Sequence, residues 1–422
     1  MKRRPMRILH LISSNFVGGP ERQILHHARS MTTPDLEIWI GSFRDGRKRP
    51  EILEQAADQG LPTLELSFEI SSGHFNPFGL GRLAAKMRRG EFDLICTHGY
   101  KSNVIGYLLS RIGGCPQAGF VRGWIAENPR VEHYERLDRW VLSRTDWAVC
   151  VSELQAQALR PRRRRRRPPL VIPNAALFPR MARESVDRAA IRRQLSLQED
   201  LFWIGAVGRL SIEKGHAILL EAVAKLEMPE LRLAILGAGP ERAALEERAK
   251  SPDLDGRIHF AGWCRDVQPW MQAFDLLVNP SFTEGLPNVV LEAMALGTPV
   301  IATAVGGVAE LLGNNEFGIA VPPGDAVALA DAVRDLASHP ERALRLSRQA
   351  SRRLEDYSPE KHNQLLLELY LNALASGGTR HGKTIHPASS VQESSGASSG
   401  GNAAALTTRK PGDGPALEYP RT

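Results

Sequence analysis

The feature that most constrains this chain is an alternation repeated along its length: short apolar runs, each followed by a Gly or polar turn and then a stretch with helical spacing. That order is expected of parallel βαβ units, in which a helix carries the chain back to start the next parallel strand. In the first half, strands read at 7–12, 37–43, 63–68, 92–97, 118–122, 147–151 and 170–172. The alternation then begins again, at 203–207, 232–236, 258–260, 276–279, 300–304 and 318–321. The helical segment between them, 186–195, is polar and has no core-like strand, so the boundary falls within 174–181, after the VIPN run. The expected class is α/β, with two parallel-sheet domains at 1–176 and 177–358. A helix at 359–375 follows, and Leu365, Leu366, Leu369, Tyr370 and Leu374 form a stripe on it that must be buried against something. From 376 to 422 the chain turns to Ser, Gly, Ala, Pro and Thr and is expected to be a disordered tail.

Composition narrows the class further. With 422 residues, 42% hydrophobic and 24% charged, the chain has material for large cores, which excludes disorder throughout. No run approaches the ~18–20 apolar residues that span a bilayer, and no cleaved leader is expected at the start. Cys96, Cys115, Cys150 and Cys264 are widely spaced and form no CxxC pair, so neither a zinc site nor a disulfide framework is predicted, and a reducing cytoplasm fits. The net charge of +7 is local: Arg160 and Arg162 to Arg167 supply seven positive charges, and the remainder sums to zero. That loop has no aromatic residue for stacking bases, so nucleic acid is disfavoured, while attraction to an anionic membrane surface stays open beside a merely solvated loop.

The strongest motif is SFTEGLPNVVLEAMALGTPVIA, 281–302, whose order is loop, helix, strand. Glu284 sits in the loop and Glu292 eight residues later in a helix starting near Pro287 or Asn288. The unpaired N–H groups and positive dipole end of that helix start suit a diphosphate. Carboxylates on either side can accept hydrogen bonds from sugar and ribose hydroxyls.

At these residues the chain resembles the retaining glycosyltransferases of family 4, also called glycosyl transferases group 1, over roughly 6–373. The resemblance implies the GT-B architecture, two Rossmann-like domains facing a cleft whose closure assembles the site. It implies that Glu284 meets the donor sugar, that Glu292 binds the ribose, and that Gly285, Leu286, Pro287 and Asn288 line the diphosphate. In GAVGRLSIEKGH, Arg209 and Lys214 emerge at the carboxyl end of a strand and match the family's phosphate clamp. Gly18 and Gly19 match its first loop, between donor phosphate and acceptor, and Gly237 and Gly239 its base and ribose loop, near FAGW at 260–263. His98, ending FDLICTH, is expected to orient the sugar from the N-terminal side, with Tyr100, Lys101, Ser102 and Asn103 next to it facing the acceptor. Gly306, Gly307 and Glu310 are expected to close the donor pocket.

No metal or other cofactor is expected, and the DxD pattern of Asp253 and Asp255 reads as a turn away from the phosphate loop. The partners implied are a nucleotide-sugar donor, acting as co-substrate, and a saccharide or lipid-linked acceptor used in cell-surface polysaccharide or lipid-linked glycan synthesis. The place implied is the cytoplasm, with a peripheral position at the inner face of the plasma membrane. Two rivals stand beside this reading: a nucleotide-sugar epimerase on the same scaffold, and a non-catalytic module that binds nucleic acid or membrane through the arginine loop.

Overall fold

Strand β1 (Met6–Ile12) shows how the sequence builds the first sheet. Alternate side chains point to opposite faces, so Ile8 and Ile12 join one apolar cluster while Leu9 and Leu11 join another. Both faces are covered by helices, the arrangement that parallel sheets require. The computed structural model describes residues 4–377, apart from 15, 45–48, 67–76, 125–128 and 160–166. The serine- and glycine-rich tail beyond 377 and Arg160 to Arg166 of the arginine loop lie outside the described residues, while the last helix, Pro359–Gly377, runs two residues further than expected.

The first sheet also contains β2 (Leu36–Phe43), β3 (Thr63–Leu66), β4 (Leu94–His98), β5 (Gln117–Phe120), β6 (Trp147–Cys150) and β7 (Leu170–Val171), in the order 3-2-1-4-5-6-7. The second contains β8 (Phe202–Val207), β9 (Leu231–Leu236), β10 (Ile258–Gly262), β11 (Leu276–Asn279), β12 (Val300–Thr303) and β13 (Ile319–Val321), in the order 10-9-8-11-12-13. Every described pairing between these strands is parallel. The order reverses between β1 and β4 and again between β8 and β11, so each sheet has a switch point whose carboxyl edge is a crevice suited to ligands. Both sheets belong to one compact unit.

The polar segment between the sheets is fastened by one carboxylate. Asp275, just before β11, takes Arg192 at 2.7 Å, Arg183 at 3.5 Å, Arg188, and the Trp203 N–H at 2.8 Å. Burial pushes the Arg183 guanidinium down to about 10.

The last helix does not stay with the second sheet. Leu366, Leu369, Tyr370 and Ala373 are buried in the same cluster as Ile8, Ile38 and Leu94, so it crosses back to cover the first sheet beside the helix Gly19–Met31. This identifies what covers the predicted stripe: Leu366, Leu369 and Tyr370 are fully buried, whereas Leu365 and Leu374 are half-buried.

Candidate active site

Three loops of the second half converge at the carboxyl edge of its sheet. After β8 the chain makes a short turn, Ile212–Lys214, and enters the helix His216–Ala224 through Gly215. Gly215 has φ 65°, and a Cβ there would stand 2.1 Å from the Pro280 carbonyl, so only glycine lets this turn lie against the loop after β11. The Lys214 ammonium thereby reaches Glu284 Oε1 at 2.7 Å, and Ser281 Oγ donates to the same oxygen at 2.7 Å. Arg209 is exposed on the same loop and makes no ion pair among the described residues. Gly237 and Gly239, after β9, pack on the backbone of Gly208 and Leu210, which brings the third loop to the same edge.

From Glu284 the chain runs through Gly285 and Leu286 to Pro287, the cap of the helix Asn288–Ala295. Val290 and Leu291 donate to the Pro287 carbonyl, whereas the N–H groups of Asn288 and Val289 precede the first intrahelical acceptor and are available to an anion. Glu292 lies one turn further in and is 4% exposed. Burial raises its carboxyl above the ordinary range, and the Arg22 guanidinium, 3.3 Å away, opposes that rise.

The first half meets this surface directly. Gly18 caps the helix Gly19–Met31 while its N–H donates to Glu21 at 2.9 Å. A Cβ on Gly19 would lie 2.3 Å from the Asn288 amide nitrogen, and one on Gly285 would lie 2.5 Å from the Arg122 carbonyl. Gln23, buried, donates to the Ala175 carbonyl at 2.7 Å and to Asn288 Oδ1 at 3.1 Å. Asn174 donates to the Leu286 carbonyl at 2.8 Å and accepts from Arg122 at 2.9 Å. Thr283 donates to the Trp124 carbonyl, and the Glu153 N–H donates to Glu310. Gly307 packs against Ser152, and a Cβ on Gly306 would strike the Glu284 carbonyl.

Several sequence expectations stand differently in space. His98 ends β4 as expected, but its ring is 2% exposed and engaged on both sides, with Arg122 at 3.1 Å from Nδ1 and His10 at 2.9 Å from Nε2. Burial first, and Arg122 second, hold its pKa well below the usual imidazole range. The ring therefore has no spare nitrogen to offer a sugar. Ser102 and Asn103, expected to face the acceptor, are buried; Asn103 bonds Thr97 and Asp138 instead, because helical spacing turns both residues inward. Asp253 takes Arg248 and Ser251 in its own turn, as a structural residue does. Arg22, Gln23, Arg122, Asn174 and Ser281 were not singled out. Arg22 and Gln23 follow the glycine pair directly, and Asn174 ends the VIPN run, which is the signal that places them near the cleft. Among the described residues no group of His, Cys, Asp and Glu could hold a metal ion, and no helix is long and apolar enough to cross a membrane.

Two parallel-sheet halves, with a lysine, two glutamates and an open helix start at their meeting edges, define a glycosyltransferase of GT-B architecture. Residues 17–176 match the model described as Glycosyltransferase Family 4, and residues 202–339 the model described as Glycosyl transferases group 1. The chain belongs to that family. It is 28% identical over 371 residues to the lipopolysaccharide core biosynthesis glycosyltransferase LpsE of Rhizobium meliloti, a match covering 85% of this chain and 96% of that one. It is 28% identical over 408 residues to the D-inositol 3-phosphate glycosyltransferase of Salinispora tropica, covering 88% and 84%. The fold is that of Anabaena HepE, crystallised with UDP, at a TM-score of 0.75 and 23% identity, covering 87% of this chain and all of that one.

Proposed function

We propose that this glycosyltransferase takes its sugar from a uridine diphosphate sugar and passes it to a hydroxyl of a saccharide or lipid-linked acceptor in envelope glycan synthesis, with retention of configuration. The observation that carries the reading is the Lys214–Glu284 pair at 2.7 Å, set beside the helix start at Pro287. Arg209, Lys214 and the N–H groups of Asn288 and Val289 balance charge on the leaving diphosphate, which is the contribution a preorganised donor set makes to such a step. Glu284 accepts from the sugar hydroxyls and Glu292 from the ribose, with Arg22 yielding part of its hold. His98 acts behind Arg122, while Gly237 and Gly239 shape the base side. In the transfer, the bond from the anomeric carbon to the diphosphate oxygen breaks, the acceptor oxygen bonds the same face of that carbon, and the hydroxyl proton passes to the departing phosphate. Support for the uridine nucleotide comes from HepE, crystallised with UDP and with UDP-glucose, and support for the acceptor class from LpsE, named for lipopolysaccharide core biosynthesis.

The division of labour follows the chain: 1–176 for the acceptor, 177–358 for the donor and 359–375 as a return helix. The reaction needs no metal, so EDTA leaves turnover unchanged, whereas a loss of more than tenfold refutes that part. An anionic membrane surface is the proposed resting place, reached by Arg162 to Arg167; of these, Arg167 lies over Trp147 and bonds Ser376, and the others fall outside the described residues.

A thermal-shift screen against UDP, GDP, ADP, CMP and their sugar conjugates tests the reading. A ligand at about 100 times its Kd adds about 2.7 kcal/mol to the stability of the folded state. A shift with UDP that is lost in Glu292→Ala is expected. No shift with any nucleotide in folded protein would move the function to the non-catalytic reading, and release of an epimerised donor without acceptor would move it to the epimerase.

A further inference from the structure

Arg122 follows β5, makes no ion pair among the described residues, and is held by two neutral acceptors, Asn174 Oδ1 at 2.9 Å and His98 Nδ1 at 3.1 Å. A guanidinium can only donate. His98 Nδ1 must then carry a lone pair, and its proton sits on Nε2, from which it is donated to His10 Nδ1 at 2.9 Å. By the same logic His10 holds its proton on Nε2 and donates to the Tyr370 hydroxyl, 2.8 Å away on the last helix. The second arm is equally directed. Because Arg122 claims the Asn174 oxygen, the Asn174 amide nitrogen is left to donate to the Leu286 carbonyl at 2.8 Å, one residue before Pro287.

We propose that Arg122 is a positioning residue for the transfer: it sets the direction of a hydrogen-bond chain running one way through His98 and His10 to Tyr370 and the other way through Asn174 to the Leu286 carbonyl. That carbonyl belongs to the turn whose next N–H groups we assign to the diphosphate, and the functional half of the inference rests on that reading. Chains of bonds in a low-dielectric interior polarise one another, so the one charged member fixes both arms. The row is dry: His10 and Tyr370 are fully buried. The other ionisable groups around it are His27 and Glu21 on the helix Gly19–Met31, His362 on the last helix and Cys96 on β4. Glu21 is the one acid among them, and its carboxylate already accepts from Gly18. Burial keeps His10, His27, His98 and His362 neutral, which the directed chain requires.

The test uses the full chain with 15N-labelled histidine. In the wild type, His98 and His10 show the Nε2–H tautomer. In Arg122→Met, His98 shifts to a mixture of tautomers, whereas Tyr370→Phe, which removes the far end and leaves the source, keeps His98 unchanged. UDP binding is measured beside it, and Asn174→Ala, which spares the histidine row, binds UDP about tenfold more weakly, the effect of one lost buried hydrogen bond. An Nδ1–H tautomer for wild-type His98, or tautomers that follow Tyr370 and ignore Arg122, overturns the direction of the chain. If Lys214→Ala and Glu292→Ala weaken UDP while Asn174→Ala does not, the positioning role alone fails. If none of the three weakens it, the diphosphate reading fails and the tautomer result stands by itself. Should Arg122→Met not fold, the wild-type tautomer and Asn174→Ala still decide the case.

Discussion

Replacing Glu284 with Gln removes one negative charge and almost nothing else, and its expected effect on UDP is tighter binding, not weaker. The carboxylate holds the Lys214 ammonium at 2.7 Å and accepts the Ser281 hydroxyl at 2.7 Å. Lys214 thus comes to a diphosphate as half of an ion pair, whereas Arg209 makes no ion pair among the described residues. A phosphate oxygen on the far side of the ammonium lies about two hydrogen-bond lengths, ~6 Å, from the carboxylate. At effective dielectric constants of 20 to 80 that repulsion is about 1 to 3 kcal/mol. Glutamine still accepts from Lys214 and Ser281, so the lower figure is taken, and UDP should bind about fivefold more tightly to Glu284→Gln. Sugar transfer should move the other way, falling about 10²-fold, since the amide is a weaker acceptor for hydroxyls in the transition state. Titration calorimetry with UDP and initial rates with UDP-glucose separate the two. Weaker or unchanged UDP binding in folded Glu284→Gln would refute the placement of the diphosphate beyond Lys214.

Three further outcomes follow from the packing. Asp275→Ala strands three arginines, of which Arg192 is buried, and should cost about 3–5 kcal/mol of stability in urea unfolding, with Asp275→Asn in between; a loss below about 1 kcal/mol contradicts the fastening role. Gly285→Ala drives a methyl to 2.5 Å from the Arg122 carbonyl and 2.9 Å from the Gln155 amide, wedging the halves apart. Turnover should drop about 10²-fold while UDP binding by the second half persists, and full turnover would mean that the contact between halves is not used. Acid should unfold the protein steeply: His10 is pushed down to about 3, His362 and His216 to about 4, and His27 and His98 well below the ordinary value, so their stabilisation is whole above pH 6.5 and is lost as pH falls below it. Asp138, raised to about 6, and Glu292, also raised, work the opposite way but are two groups against five. Stability should therefore fall by more than about 1.4 kcal/mol per pH unit between 6 and 5, the mark of more than one proton taken up on unfolding; a flat profile there rejects a neutral histidine row.

The sheets were legible because short apolar runs closed by turn residues are local signals: β8, read at 203–207, is Phe202–Val207, and β11, read at 276–279, is Leu276–Asn279. The Glu284 loop and its helix start were legible for the same reason, since the Pro-Asn entry and the apolar run behind it are contiguous in sequence. What stayed hidden was contact between distant positions. Gln23 and Asn288 are 265 residues apart, and nothing local to either announces the bond between them. His98 carries the same lesson: its strand-end position could be read, but its two partners, 88 residues before and 24 after, decide what the ring is able to do. The apolar stripe of the last helix showed that a face is buried and could not show which sheet buries it.

That return of the last helix has a consequence for biosynthesis. The core over β1, β2 and β4 is completed by Leu366, Leu369 and Tyr370, residues that leave the ribosome more than 350 positions after β1. At about 5–20 residues per second, the first sheet waits about 20 to 70 s for its final cover. Throughout that interval an apolar face of the nascent chain is open to chaperones and to wrong partners. A first half expressed alone would inherit the same defect permanently, and grafting Pro359–Gly377 onto it is what should let it fold by itself.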